Sequence, residues 1–339
     1  MKKYDFAQCL TNFFAVHLPG HLNVSKNTIC SYRDTFSKLL KFFKEERRIP
    51  PEKLNFSHFS RAAIEDFLLW LESNCGCGIS TRNQRLAALR SFFRYVQVEC
   101  PEHLLLCQGI IAIRSKRREK PVIQYLNKEE IRLLLAQPDT TTRDGRRDLA
   151  ILTLLYDSAA RVQELCDLTP ACLRAVSPPT LKLTGKPRKS RYVPLSEQAA
   201  AILLGYMAER GLDRPMREKD PMFFNRQGLK LGRGGVAYIL KKYVDQANST
   251  EPGKISPSLT PHCLRHSKAM HLLESGVNLI YIRDFLGHED VSTTQVYARA
   301  NPETKRTAIE NAYRDILLPD LPTWNADPNL MNFLKGLAG

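Results

Sequence analysis

Residues 260–300 read TPHCLRHSKAMHLLESGVNLIYIRDFLGHEDVSTTQVYARA. The stretch divides into three helical segments, over 261–275, 278–286 and 292–299, by the spacing of its apolar residues. His262 and Arg265 lie three apart on the first, hence on one face. His288 precedes Tyr297 by nine residues, across a turn into the third helix. Upstream, Ala160-Arg161-Val162-Gln163-Glu164-Leu165 supplies a second arginine with an acid three residues on. An H-x-x-R pair alone is common, and a lone helix tyrosine is ordinarily half-buried by its ring. Arg161 and Glu164 alone would make a surface ion pair. What matters is that these groups occur together.

Outward from that stretch, the second half of the chain reads as mainly helical with a small antiparallel sheet. Asn127 and Glu130 form a capping box ahead of Ile131, Leu134 and Leu135. A helix over 143–158 precedes one starting near Arg161, and further helices are expected over 196–210 and 234–247. Between them, Leu181–Leu183 and Arg191–Leu195 read as strands flanking the turn Gly185-Lys186-Pro187-Arg188-Lys189. The first 107 or so residues read as helices alone. One over 4–18 is ended by Pro19-Gly20. Another, capped by Ser25, runs to about Arg47 with Ile29, Tyr32, Phe36, Leu40 and Phe43 at helical spacing. A third follows Ser60 with Ile64, Phe67, Leu68 and Leu71 inward, and a fourth follows Ser80 with Leu86, Leu89, Phe93 and Val96 inward.

The charge is strongly positive: 50 Lys and Arg against 35 Asp and Glu give +15. A surplus of this size favours a polyanion, and no Lys/Arg-rich helix with an apolar face suggests a membrane surface, so nucleic acid leads. Two helices of the first half carry basic flanks: Lys26, Arg33 and Lys44 on one, Asn83, Arg90 and Arg94 on the other. Either could lie along phosphates or in a groove, although a solvated face is the ordinary meaning of such a flank. Arg114, Lys116, Arg117 and Arg118 cluster before Pro121 in a basic interdomain linker over 108–125. The expected organisation is therefore a helical domain over 1–107, this linker, a second domain over 126–318, and a tail over 319–339. In the tail, Asp327 and Pro328 open a short amphipathic helix with Leu330, Phe333, Leu334 and Leu337 on its stripe. So short a helix must dock, on its own domain or on a neighbouring subunit.

No apolar run approaches the roughly 20 residues that span a bilayer, and the segment after Met1-Lys2-Lys3 is not a signal peptide. Nine cysteines at irregular spacing read as reduced thiols of an intracellular protein. Neither Cys75 and Cys77 with Cys100, His103 and Cys107, nor His262, His266 and His271, have zinc-site spacing. His266 and His271 are expected to pack or hydrogen-bond structurally. No metal or cofactor is expected.

Metal-free phosphodiester cleavage needs a nucleophile, cationic donors for the non-bridging oxygens and an acid for the leaving oxygen. Arginine suits the oxygens because its planar fork meets two at once. Residues 161 to 297 contain all of these parts. In order and spacing, ARVQELCDL, GKPRKSRYVPL and TPHCLRHS…LLESGV…LGHEDVSTTQVYA resemble the tyrosine recombinase, or phage integrase, family along nearly the whole chain. The resemblance implies a two-domain clamp: a helical, SAM-like core-binding domain and a catalytic domain around duplex DNA. It implies that Arg161 and Arg265 grip the scissile phosphate, Lys186 (with Lys189 as substitute) protonates the leaving 5′ oxygen, His262 assists proton transfer at the tyrosine, and His288 bonds the phosphoryl oxygens. Tyr297 then attacks, while Glu164 orients the site without reacting. It also implies a homotetramer on DNA, monomer or dimer off it, with the terminal helix as an exchange element, in a bacterial cytoplasm and nucleoid-associated when DNA-bound. Helices beginning near Met1 leave no room for an added arm-binding domain, and the 265–300 stretch looks most like recombinases of mobile elements. An inactive DNA-binding regulator and a type IB topoisomerase-like enzyme share the scaffold or the chemistry. Three positions depart from the family pattern: Ala159 where glycine is usual, Pro187 after the hairpin lysine, and Lys268 where an aromatic is frequent.

Overall fold

The structure is a computed structural model that describes residues 5–117, 123–185 and 189–288, together with Thr294 and Tyr297. The chain separates into two compact units, 1–121 and 122–339. Arg118, Lys186, Pro187 and the expected helix over 327–339 lie outside the described residues.

Among the described residues the regular structure of the first unit is helical: α1 (Phe6–Asn12), α2 (Lys26–Glu46), α3 (Arg61–Ser73), α4 (Ile79–Glu99) and α5 (Leu104–Ile111). Ser25 and Ser60 cap α2 and α3 as their positions require, accepting from the backbone N–H of Thr28 and Ala63. The helical faces of α3 and α4 read from the sequence are buried in full: Ile64, Phe67, Leu68, Leu71, Leu86, Leu89, Phe93 and Val96 are all 0 % exposed. Phenylalanines dominate this core. Phe36 and Phe92 meet edge-on at 5.0 Å and Phe13 and Phe92 at 5.3 Å, the arrangement favoured by the ring quadrupole. Pro19 does not end the first helix. The chain widens at Phe13 into a wound segment with the looser π repeat, reaching His21 with Pro19 inside it. A wider turn relaxes the clash between a proline ring and the preceding turn that would break a regular helix.

In the second unit, Asn127 and Glu130 make the reciprocal box that opens α6 (Lys128–Leu135). The central element is α7 (Arg143–Asp157), where Ala150, Ile151, Leu152, Leu154 and Leu155 are all buried; its second half, apolar nearly all round, belongs inside a core. It is followed by α8 (Val162–Cys166) and an antiparallel sheet of β1 (Leu173–Arg174), β2 (Thr180–Thr184) and β3 (Ser190–Pro194), in that order. In the β2–β3 register Leu181 faces Val193 and Leu183 faces Arg191. Leu181, Leu183 and Val193 point into the core by the two-residue alternation of strands. Helices α9 (Glu197–Glu209), α10 (Arg233–Thr250), α11 (Pro261–Glu274) and α12 (Leu279–Leu286) complete the described elements. A separate small cluster of Ala159, Ala269, Met270, Ile282, Leu286 and Tyr297 joins the end of α7 to α11 and α12. That cluster brings distant parts of the sequence to one site.

Candidate catalytic pocket

The pocket is built on the carboxyl end of α12. Any helix ends with carbonyls that have no partner within the helix and carry partial negative charge. Here three consecutive ones each accept from an arginine of a different element. Phe285 O accepts from Arg191 Nε at 2.9 Å, Leu286 O from Arg265 Nη2 at 2.5 Å, and Gly287 O from Arg161 Nη2 at 3.2 Å. Gly287 ends the helix in the left-handed conformation, φ 64°, which glycine adopts without steric cost. A Cβ there would stand 2.9 Å from Arg191 Cδ. The glycine of Leu286-Gly287-His288 is thus needed both for its backbone angle and to admit Arg191.

Glu164 ties two of the arginines together. It is 4 % exposed and accepts from Arg161 Nη1 at 2.8 Å, the Arg161 backbone N–H at 2.8 Å, and Arg191 Nη1 and Nη2 at 2.9 and 2.8 Å. Burial, the largest single influence, opposes its charge, but the hydrogen bonds and charges of Arg191 and Arg161 outweigh it and hold the carboxyl at about 2. The hairpin approaches the same spot: a Cβ on Gly185 would lie 3.0 Å from Glu164 Oε1 and 3.5 Å from Arg161 Nη1.

Arg265 is 1 % exposed. Its Nη1 donates to Ala159 O at 2.7 Å, and its Nε has no hydrogen-bond partner among the described residues. Burial, then the charges of Arg161 and Arg191, press its guanidinium down to about 9. A buried cation with a spare donor, crowded by like charges, is a site waiting for an anion. Arg161 has 41 % of its side chain exposed and opens onto a cavity of about 430 Å³ lined also by Gly185, Lys189, Arg191, Gly287 and His288.

Around the arginines stand the titratable groups. His288 meets Thr294 Oγ1 through Nδ1 at 3.0 Å and is held at about 4 by burial and then by Arg265 and Arg161. His262, exposed at the start of α11, is lowered by desolvation against the pocket wall and by the same two arginines. Tyr297 is 2 % exposed. Burial raises its phenol while Arg265 and Arg161 pull it back. Its hydroxyl lies 2.7 Å from His266 Nδ1.

The structure therefore gathers Arg161, Glu164, His262, Arg265, His288 and Tyr297. Lys186 lies outside the described residues, one position beyond Gly185. Two members were not read from the sequence as part of the site. Arg191 shares a strand face with the buried Val193, and a cation on an inward strand face needs a buried anion, which is Glu164. His266 follows His262 by one helical turn on the same face, and meets Tyr297 instead of a core neighbour. Of the unusual positions, Ala159 adopts φ 48°, the backbone conformation for which glycine is suited, and its carbonyl serves Arg265. Lys268 pairs with Asp157 at 2.9 Å. His271 bonds Tyr156 Oη at 2.9 Å.

The basic residues of the first unit fare differently. Lys26, Arg33, Lys44 and Arg94 are exposed, Arg33 lying 3.1 Å from Asp34. Asn83 bonds Lys116 in both directions, at 2.9 and 3.1 Å. Arg90 donates to Ile113 O and Ser115 Oγ, so this pair fastens the chain that follows α5. Arg114, Lys116 and Arg117 are exposed on it, with Lys116 paired to Glu72 at 2.6 Å.

Residues 124–304 match the model of the phage integrase family, and residues 12–99 that of the phage integrase N-terminal SAM-like domain. The chain belongs to the phage integrase family. Its relatives within that family include "Putative integrase/recombinase y4rC" of Sinorhizobium fredii, 36 % identical over 99 % of both chains. Tyrosine recombinase XerC of Bacillus subtilis is 30 % identical over 86 % of this chain and 92 % of its own. In fold, this tyrosine recombinase is similar to XerH site-specific recombinase bound to difH (TM-score 0.67, 18 % identity, 92 % of this chain and 84 % of that one). It is also similar to the Tn1549 transposon integrase bound to transposon right-end DNA (TM-score 0.68, 17 % identity, 89 % and 98 %).

Proposed function

We propose that this recombinase cuts and rejoins duplex DNA at a specific sequence through a covalent bond between Tyr297 and a 3′ phosphate. The observation that carries the reading is the convergence of Arg161 and Arg265, 104 positions apart in the chain, on adjacent carbonyls beside the Tyr297 cluster. Arg265 Nε and the exposed part of Arg161 meet the non-bridging oxygens of the scissile phosphate. His288 adds a donor there, and His262 stands at the open side of the pocket. Lys186, next to Gly185 in the chain, protonates the departing 5′ oxygen. Glu164 and Arg191 hold Arg161 in place and do not react. The phosphotyrosyl ester keeps the energy of the broken bond, so a second 5′ hydroxyl reverses the step without ATP.

Each of the two units binds duplex DNA. The exposed Lys26, Arg33, Lys44, Arg94, Arg114 and Arg117 lie along phosphates, and the +15 charge makes affinity fall steeply with salt. Exchange between two duplexes takes four active tyrosines, hence a homotetramer assembled on DNA from monomers or dimers. The segment 327–339 links neighbouring subunits. The work is that of a mobile element, integration, excision or transposition, in the bacterial cytoplasm.

Covalent capture tests the reading. Nicked duplexes, drawn from inverted repeats flanking the gene or from a random pool, lose a short leaving strand on cleavage and trap the adduct. The wild-type chain forms an adduct stable to denaturant, and Tyr297→Phe forms none. An adduct formed by Tyr297→Phe removes the nucleophile from this residue.

A further inference from the structure

We infer that His266 is the group that receives the Tyr297 proton during cleavage, a role that rests on Tyr297 being the nucleophile. The two are held together by separate parts of the fold. His266 is one turn beyond His262 on α11, the rings edge-on at 4.4 Å, and Tyr297 is seated among Ala159, Ala269, Met270, Ile282 and Leu286. The Nδ1–Oη distance of 2.7 Å is a short, direct hydrogen bond. Burial, then His262 and Arg265, keep the imidazole neutral, at about 4. With the ring proton on Nε2, Nδ1 accepts and the phenol donates, which is the tautomer this role requires.

The step balances as follows. Tyr297 Oη bonds the phosphorus as its proton passes to His266 Nδ1. The bond from phosphorus to the 5′ oxygen breaks, and that oxygen takes a separate proton from the acid on the hairpin. On rejoining, the tyrosine oxygen leaves and recovers its proton from His266. The same neighbours explain why the free enzyme does not ionise its tyrosine. An imidazolium beside Arg265 is unfavourable until an anionic phosphate lies against the arginines, so proton transfer waits for DNA.

His266→Asn is the informative change, because an amide oxygen can take the hydrogen bond but not the proton. It should slow adduct formation about 100- to 1,000-fold, with DNA binding within about twofold of wild type. Placing a trifluorinated tyrosine at 297, whose phenol ionises more readily, should return about tenfold or more to the Asn variant and give the wild type little. Cleavage by His266→Asn near the wild-type rate overturns the inference, as does a slow variant that the fluorinated tyrosine does not improve. If wild type forms no adduct, or Tyr297→Phe does, it is the nucleophile that fails and not His266. Should the Asn variant misfold, nitrogen NMR of the intact wild-type chain decides. The His266 Nδ1 resonance should be that of an unprotonated, hydrogen-bonded nitrogen and should move in Tyr297→Phe; a protonated Nδ1, or an unmoved resonance, overturns the inference.

Discussion

The recombinase holds its positive charge in two arrangements. In the pocket, Arg161, Arg191 and Arg265 are fixed by three consecutive carbonyls of one helix end and by Glu164. In the first unit, Lys26, Lys44 and Arg94 stand in solvent. Fixed guanidinium groups have already lost their conformational freedom, so they can stabilise a defined charge at a defined point without reorganising. Exposed ones keep their freedom and are screened by salt, so they attract a polyanion without selecting an atom of it. In the function proposed above, catalysis belongs to the first arrangement and affinity to the second, and substitutions should separate them.

The largest effect should come from Arg265→Ala. Adduct formation should fall about 1,000-fold or more, while binding of the uncut duplex changes by less than about threefold, as read by single-turnover cleavage beside a binding titration. Equal losses in both would mean that Arg265 is merely another phosphate contact. Next comes Glu164→Gln, which leaves Arg161 and Arg191 without their shared anion and should cost about 3 kcal/mol or more in denaturant unfolding. The pH dependence follows from the same group. Its folded value, near 2, lies below the ordinary 4.5. Its contribution is therefore complete above about pH 4.5 and disappears as pH falls toward 2. The Gln variant should lack that part of the acid sensitivity; an unchanged acid profile would assign it elsewhere.

Gly287→Ala should cost about 1–2 kcal/mol from the left-handed backbone alone, and more if Arg191 is displaced, lowering both the thermal midpoint and cleavage. Little change in either would show that the helix end tolerates a methyl group and that Arg191 has room. The smallest effect belongs to the first unit. Arg94→Ala should weaken binding to all duplexes alike and reduce the slope of log affinity against log salt by about one, with the cleavage rate of bound DNA untouched.

The same contrast explains what was legible. The helical faces of α3 and α4, the caps at Ser25, Ser60 and Asn127, and the two strands of the hairpin follow from local periodicity and capping, and the chain states these residue by residue. The spacing of Arg161, Arg265, His288 and Tyr297 was readable as a set because their chemistry is specific. Arg191 was not, because strand alternation with Val193 marks its face but not its partner, and Glu164 is 27 positions away. His266 was hidden by ambiguity: one turn from His262, it could as well have faced the core. Asn83 and Arg90 sit on a basic flank, yet they hold the backbone of 113–116, a use that depends on where a later segment packs. Pro19 stays within a wound segment because the turn there widens, which proline content alone does not reveal.

The most direct test replaces one non-bridging oxygen of the scissile phosphate by a methyl group, which removes the charge the arginines are held to meet. On this methylphosphonate, Arg265→Ala should cleave far faster than it cleaves the ordinary phosphodiester, approaching the wild-type chain. A variant equally inactive on both would contradict the assignment of Arg265 to the phosphate charge, and with it the pocket built on the end of α12.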